Sequence, residues 1–279
     1  MKSHIITLTT DFGLDDACVA VIKAVILGIN PQASIIDLCH TIQPFNVRQA
    51  AFLLGISHSY FPPGAIHLAV VDPGVGSQRR AILISTPSAF LLGPDNGVFS
   101  YVTGHASRSR SRTGSPATLS PGCQAFVLKN PRYWRTTVSA TFHGRDIFAP
   151  VAAHLSLGVP PDEMGEAVPS LVTLPGLGPR RRKGMLVGQV VHVDRFGNLI
   201  TDIQEADLGD GDVEVGIGAQ SIRGLSRYYA QGSGLMALIG SSGYLEIASR
   251  EANASLLLGV AVGEEVLVTG LKGSRGRRS

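Results

Sequence analysis

Residues 5–38 read IITLTTDFGLDDACVAVIKAVILGINPQASIIDL, and the fold of the first half of the chain follows from them. Ile5–Thr9 is rich in β-branched residues and predicts a strand. Asp15–Gly28 carries apolar residues at helical spacing behind an acidic start, with a glycine just past the apolar run, and predicts a helix. Ser34–Leu38 returns to a short strand pattern. The alternation continues outward. Val47–Tyr60 predicts a helix, Ile66–Val71, Ala81–Ser85 and Ala89–Leu92 predict strands, and Ile147–Leu157 predicts a helix ended by Gly158. Strands alternating with helices imply an α/β fold with a mostly parallel sheet covered on both faces. We assign this N-terminal α/β domain to residues 1–172.

Past it the pattern changes. Pro169, Pro175, Gly176, Gly178 and Pro179 lead into a basic cluster, so residues 173–184 read as a linker. Met185–Val193, Leu199–Ile203, Asp212–Ile217, Leu235–Ile239, Tyr244–Ala248 and Glu265–Thr269 are short strand candidates between glycine-rich turns. Residues 185–271 therefore predict a smaller all-β barrel domain, followed by a basic tail at 272–279. The Ser/Arg-rich stretch within loop 103–123 is of low complexity, and no internal repeat is present.

Composition excludes several function classes. The 279 residues are 44% hydrophobic and 16% charged, enough to bury a sizeable core. The net charge of +3 comes largely from Arg108–Arg112, Arg180–Lys183 and Lys272–Arg278, each set among Ser, Gly or Pro as solvated loop or tail. Nucleic acid would require a basic face or a stacking platform, and neither is visible. The three cysteines, Cys18, Cys39 and Cys123, are odd in number and widely spaced, which fits a reducing compartment better than a disulfide framework or zinc site. The longest apolar run, Ala17–Ile29, is interrupted by Lys23 and too short to span a bilayer. A cytoplasmic protein without membrane attachment is the expectation.

The chemistry-bearing residues collect behind predicted strands: Thr10-Asp11-Phe12-Gly13, Asp72-Pro73-Gly74-Val75-Gly76, Gly93-Pro94-Asp95-Asn96-Gly97 and Phe142-His143-Gly144-Arg145-Asp146. Strand carboxyl ends form the ligand crevice of an open parallel sheet. Each cluster alone is explicable as turn or cap chemistry. Turn propensity does not select Asp11, Asp72, Arg79 and His143 together. The phosphate loop GxxxxGK[ST], the dinucleotide turn GxGxxG, HExxH and GxSxG are all absent. Acidic turns without a phosphate cradle suit a ligand with vicinal hydroxyls and a positive charge, a description met by a nucleoside sulfonium and by several sugars. No metal or cofactor is expected.

TDFGLDD, VDPGVGSQRR, GPDNGVFSYV, NPRYW, TFHGRDIFAPVAAHL, DRFGNLITDI and GSSGYLEIA resemble, in this order, the S-adenosylmethionine (SAM) hydroxide adenosyltransferases, relatives of the SAM-dependent fluorinase and chlorinase. The resemblance implies an N-terminal α/β domain and a C-terminal β-barrel. It implies hydrolysis of SAM by water at ribose C5′, releasing adenosine and L-methionine. It also implies a homotrimer with sites between neighbouring subunits. Matched residue by residue, the water-activating triad falls on Asp72, Arg79 and His143. Asp11 falls where the ribose hydroxyls are held, with Phe12 in the same turn, and either Asp15 or Asp16 takes a second role there. Phe142 lines the reaction centre, and Gly144 stands where the fluorinase has a halide-binding serine. Asp194, Phe196 and Asn198 match contacts to the adenosine and methionine parts. Ser241, Ser242 and Glu246 match the methionine-end and adenine-edge region. Two other readings stay open: a chlorinase, and a SAM- or adenosine-binding protein without turnover. Arg80 and Arg145 read as structural residues, and Arg79 could merely bridge Asp72.

Overall fold

The computed structural model describes residues 4–104, 116–209, 211–232 and 234–271. Most of the Ser/Arg-rich loop and the basic tail at 272–279 lie outside the described residues. The chain divides into two units, Met1–Gly176 and Leu177–Ser279.

The first unit runs β1 (Ile5–Thr10), α1 (Cys18–Ile29), β2 (Ser34–Cys39), α2 (Val47–Ser57), β3 (Ala65–Val70), β4 (Ala81–Ser85), β5 (Ala89–Pro94), β6 (Pro116–Thr118), β7 (Gln124–Leu128), α3 (Ala149–Ser156), α4 (Pro161–Met164), β8 (Gly165–Val168) and β9 (Ser170–Val172). Its seven-stranded sheet has the order β2-β1-β3-β5-β4-β7-β8. The first four strands are mutually parallel; β4 is antiparallel to both β5 and β7, and β8 to β7, so the sheet is mostly parallel in direction. Alternation with period two sends successive side chains to opposite faces. Ile66, Leu68 and Val70 of β3 join a core with Ile22 and Ile26 of α1 and Val151 and Leu155 of α3. Ala69 and Val71 join the other core, with Ala50 and Leu54 of α2.

Three differences from the sequence reading have physical causes. Helix α1 begins at Cys18 and not at Asp15; its N-cap, Ala17, makes no side-chain cap bond, and Asp15 and Asp16 stay exposed ahead of it. The apolar periodicity that buries Val19, Ile22 and Ile26 sets the start, with no capping acid involved. The Phe142–Asp146 motif follows a long loop from β7, not a strand end, and opens a π-helical turn, Gly144–Phe148, that continues into α3. Strands β6 to β9 carry little of the alternating signal and were not legible.

The second unit comprises β10 (Arg180–Arg182), β11 (Met185–Val193), β12 (Leu199–Gln204), α5 (Glu205–Leu208), β13 (Glu214–Ile217), β14 (Gln220–Arg223), β15 (Leu235–Ile239), β16 (Tyr244–Ser249), α6 (Ala254–Leu258) and β17 (Glu265–Thr269). Its eight strands form a sheet ordered β14-β13-β17-β11-β12-β16-β15, with β10 on β11. All strand pairings are antiparallel, and a single bridge from Ser226, just past β14, to Leu238 of β15 nearly closes the sheet into a barrel. Val215, Ile217, Leu245, Ile247, Val266 and Val268 alternate into its core. Within the stretch expected as linker, Arg180–Arg182 forms a strand. Lys183 (φ 48°) and Gly184 (φ 80°) make a two-residue turn with both φ positive, which pairs Arg182 with Met185.

Candidate active site

In the first unit, Asp11 and Asp72 lie just past the ends of β1 and β3. After β3 the chain turns twice, with Val75 N–H donating to Asp72 O and Ser77 N–H to Gly74 O, and so brings Arg79 back beside Asp72. Gly76 is required here. Its φ is 77°, and a Cβ would stand 2.4 Å from the carbonyl oxygen of Ala140. That close approach docks the 72–79 loop on the loop carrying His143. The second loop is itself tied down by Asp146, which is fully buried. Asp146 Oδ2 accepts from Ser139 N–H at 2.9 Å, and Arg145 donates to both carboxylate oxygens. Burial pushes the Asp146 carboxyl up, but the Arg145 and Ser139 hydrogen bonds outweigh it and hold it below its ordinary value. Its anchoring role was not legible as more than a possible helix cap.

Arg79 bridges Asp72 and His143. Its Nε donates to Asp72 Oδ1 and Oδ2 at 3.0 and 2.9 Å, and its Nη2 donates both to Asp72 Oδ2 and, at 2.8 Å, to His143 Nδ1. The Asp72 and Arg79 side chains are 6% and 11% exposed, and the guanidinium lies 5.4 Å from the centroid of the Phe148 ring. Arginine can only donate, so Nδ1 is an acceptor and the neutral imidazole carries its proton on Nε2. Burial, then the Arg79 charge, hold His143 below its ordinary pKa, which keeps it neutral. The ring therefore presents a donor at Nε2, and the acceptor of the cluster is Asp72. Arg80 instead pairs with Asp95, and Arg145 with Asp146, in agreement with structural roles.

Asp11 sits in the turn after β1. Its Oδ2 accepts from Phe45 N–H at 2.8 Å, while Oδ1 takes no hydrogen bond among the described residues. Phe12 packs edge-to-face on Phe142, with ring centroids 5.8 Å apart, and Arg145 lies over the Phe142 ring at 5.1 Å. A Cβ on Gly144 would stand 3.3 Å from both Ile22 Cδ1 and Val70 Cγ1, so the position is crowded for any side chain.

The second unit holds a cavity of about 790 Å³ lined by Asp194, Phe196, Asn198, Tyr229, Ala230 and residues 249–253. Asp194 shapes the wall: Oδ1 accepts from Phe196 and Asn198 N–H, and Oδ2 accepts from Asn198 Nδ2, all at 2.9 Å. Gly197 (φ 85°) lets this turn lie against Asn253, where a Cβ would be only 2.1 Å from Asn253 Cγ. Glu246 is buried behind the cavity and accepts from Tyr229 Oη at 2.8 Å. Burial, reinforced by the Asp194 charge, raises the Glu246 carboxyl, and burial followed by the Glu246 hydrogen bond pushes Tyr229 up to about 12. Ser241 and Ser242 occupy the β15–β16 turn and are not among the lining residues. Sequence reasoning missed Tyr229 and the 249–253 wall. The Tyr228-Tyr229 pair between two strand candidates was the available signal.

A mostly parallel α/β unit bearing an arginine-bridged Asp–His cluster, followed by a β-barrel unit with an aromatic-walled cavity, defines the class of protein. The chain belongs to the SAM hydroxide adenosyltransferase family, whose N-terminal domain matches residues 6–165 and whose C-terminal domain matches residues 188–267. An (R)-S-adenosyl-L-methionine hydrolase from Thermus thermophilus is 40% identical over 92% of this chain and 96% of its own length. A fluorinase from Nocardia brasiliensis is 26% identical over 74% of this chain and 73% of its own. The crystal structure of an uncharacterised conserved protein from Thermotoga maritima superposes with a TM-score of 0.84 at 35% identity, covering 95% of this chain and 99% of that one.

Proposed function

We propose that the protein hydrolyses S-adenosyl-L-methionine, in the (R) form named for its relatives, by attack of water at ribose C5′ to give adenosine and L-methionine. The observation that carries this reading is Arg79 bridging Asp72 and His143. The sulfonium is an activated leaving group, so departure of methionine sulfur needs no acid. What the reaction needs is an aligned nucleophile, and alignment alone contributes several kcal/mol. Asp72 accepts the proton of the attacking water, Arg79 stabilises hydroxide character, and His143 Nε2–H orients the oxygen. Attraction between developing hydroxide and sulfonium is strongest where water is excluded. Asp11 and Phe12 hold the ribose, with Asp15 or Asp16 beside them, and Phe142 lines the reaction centre. Asp194, Phe196, Asn198, Ser241, Ser242 and Glu246 serve the adenosine and methionine ends. The reaction runs without metal or cofactor in a cytoplasmic enzyme. Among the described residues no helix is long and apolar enough to cross a membrane.

The reading extends to assembly as a homotrimer whose sites draw on neighbouring subunits. Mixing Asp72→Ala subunits with Asn198→Ala subunits then restores part of the activity; no recovery removes the shared site.

Incubation with SAM in oxygen-labelled water and chloride tests the chemistry by mass analysis of the nucleoside. Label in the 5′-oxygen of adenosine is expected. A chlorinated nucleoside makes the protein a chlorinase, and intact SAM makes it a binding protein.

A further inference from the structure

Outside the residues already assigned, the first unit contains a buried histidine in direct contact with the Asp11 turn. His40 is 5% exposed, just past the end of β2. Its Nδ1 is 2.8 Å from Thr10 Oγ1, and its carbonyl oxygen accepts from Gly13 N–H at 2.8 Å. Thr10 Oγ1 also accepts from Phe12 N–H at 3.3 Å. Five residues past His40, Phe45 N–H donates to Asp11 Oδ2. Phe45 makes that contact from a left-handed backbone conformation (φ 67°) that a bulky residue adopts only when its surroundings hold it there. On the far side, His40 Nε2 is 3.1 Å from Asp37 Oδ1, at ion-pair distance but not aligned as a hydrogen bond, and Asp37 Oδ2 accepts from Lys23 Nζ at 2.5 Å.

The connectivity Asp37–His40–Thr10 is that of a nucleophile-activating triad, but nucleophilic work is excluded. Thr10 is 1% exposed, and its hydroxyl is spent on the turn that follows it. What remains is a clamp. Segment 40–45 grips the Thr10–Gly13 turn at a side chain, a carbonyl and a backbone N–H, and leaves Asp11 Oδ1 as the unpaired acceptor. A carboxylate that reads a vicinal diol must keep one rotamer, since a misdirected oxygen forfeits a charge-assisted bond.

We propose that His40 is a positioning residue for the nucleoside site, holding the Asp11 turn so that its carboxylate selects ribose over deoxyribose. This rests on the reading of Asp11 as the ribose ligand. The test compares wild type with His40→Ala, His40→Gln, His40→Asn, Thr10→Val and Asp11→Asn. It measures kcat and KM for SAM, and Kd for adenosine and 2′-deoxyadenosine. Asp11→Asn is expected to abolish the preference for adenosine. His40→Ala, His40→Gln and Thr10→Val should each raise KM about tenfold and shrink the preference by a similar factor, with kcat within about threefold. The Asn amide overlays Nδ1, so His40→Asn should stay within about threefold of wild type on every measure; Gln reaches toward Asp37 and should not rescue. Thr10→Val conserves shape and carries the test if His40→Ala does not fold. Folded His40→Ala and Thr10→Val proteins with an unchanged preference, beside an Asp11→Asn protein that has lost it, overturn the proposal. An Asp11→Asn protein that keeps its preference overturns the ribose reading and the clamp with it.

Discussion

The two units carry polar groups in opposite ways. In the first, the side chains of Asp72 and Arg79 are buried, and Arg79 joins Asp72 to a half-buried His143 through hydrogen bonds that include contacts of 2.8 to 3.0 Å. In the second, the Glu246 carboxylate stands behind an open cavity whose wall includes Phe196, 77% exposed, and its partner Tyr229, 45% exposed. The first arrangement is preorganised: its dipoles are aimed before any ligand arrives, as transition-state stabilisation requires. The second is an open concave surface of the form that ground-state binding uses. On the proposed reading, rate falls to Asp72, Arg79 and His143, and affinity to the second unit's cavity together with the Asp11 turn; each assignment can be broken.

The largest effect is expected at Arg79. Arg79→Lys keeps the charge but loses the planar fork that reaches Asp72 and His143 at once, and should cut kcat by about 10²–10⁴-fold while adenosine affinity changes little. Steady-state kinetics beside calorimetric adenosine binding checks this; collapse of binding with kcat intact reverses the division.

Next is a stability effect at His67, a histidine of the first unit outside the site. His67 is fully buried, bonds Thr7 Oγ1 through Nδ1, and has no hydrogen-bond partner for Nε2 among the described residues; burial holds its pKa at about 4. The unfolded chain takes up this proton near pH 6.5 and the folded chain only near 4. Stability is therefore whole above 6.5 and falls by about 3 kcal/mol as the pH drops through that window. Urea unfolding across pH 7 to 4 should lose this decline largely in His67→Gln. A curve identical to wild type removes His67 as its source.

Gly144→Ser probes the boundary with the halogenases. Its Cβ meets Ile22 and Val70 at 3.3 Å, so about 1–2 kcal/mol of stability should be lost. No chlorinated nucleoside should form while Asp72 and Arg79 remain, as chromatography of products will report. The smallest effect is expected at Tyr229→Phe, which removes only the bond to Glu246: about fivefold in adenosine affinity, with kcat unchanged. A large loss of kcat would move Tyr229 into the reaction centre.

Much of this was legible before any coordinates. Short β-branched runs and helical spacing identified β1, α2, β3 and most barrel strands to within a few residues, because burial selects apolar residues along each. The short strands β6 to β9 escaped, since pairs such as Thr118 with Ser170 are chosen by distant partners, not by local pattern. The hairpin at Lys183-Gly184 escaped because the three arginines before it read as solvated coil. Asp11, Asp72, Arg79 and His143 were visible as residue types that turn propensity does not explain. Asp146, His40 and Tyr229 were not, since each acts through contacts that cross the fold.

By itself, then, the sequence determined the two architectures and the residue types of the cluster, because hydrophobic period and side-chain chemistry are local properties. Which nitrogen of His143 carries its proton, which oxygen of Asp11 stays free, and which carboxylate holds Tyr229 were decided only by the tertiary structure. Arg79 and His143 stand 64 positions apart, and Thr10 and His40 stand 30 apart. A hydrogen bond of 2.8 Å between such groups exists only once packing has removed water and fixed both backbones.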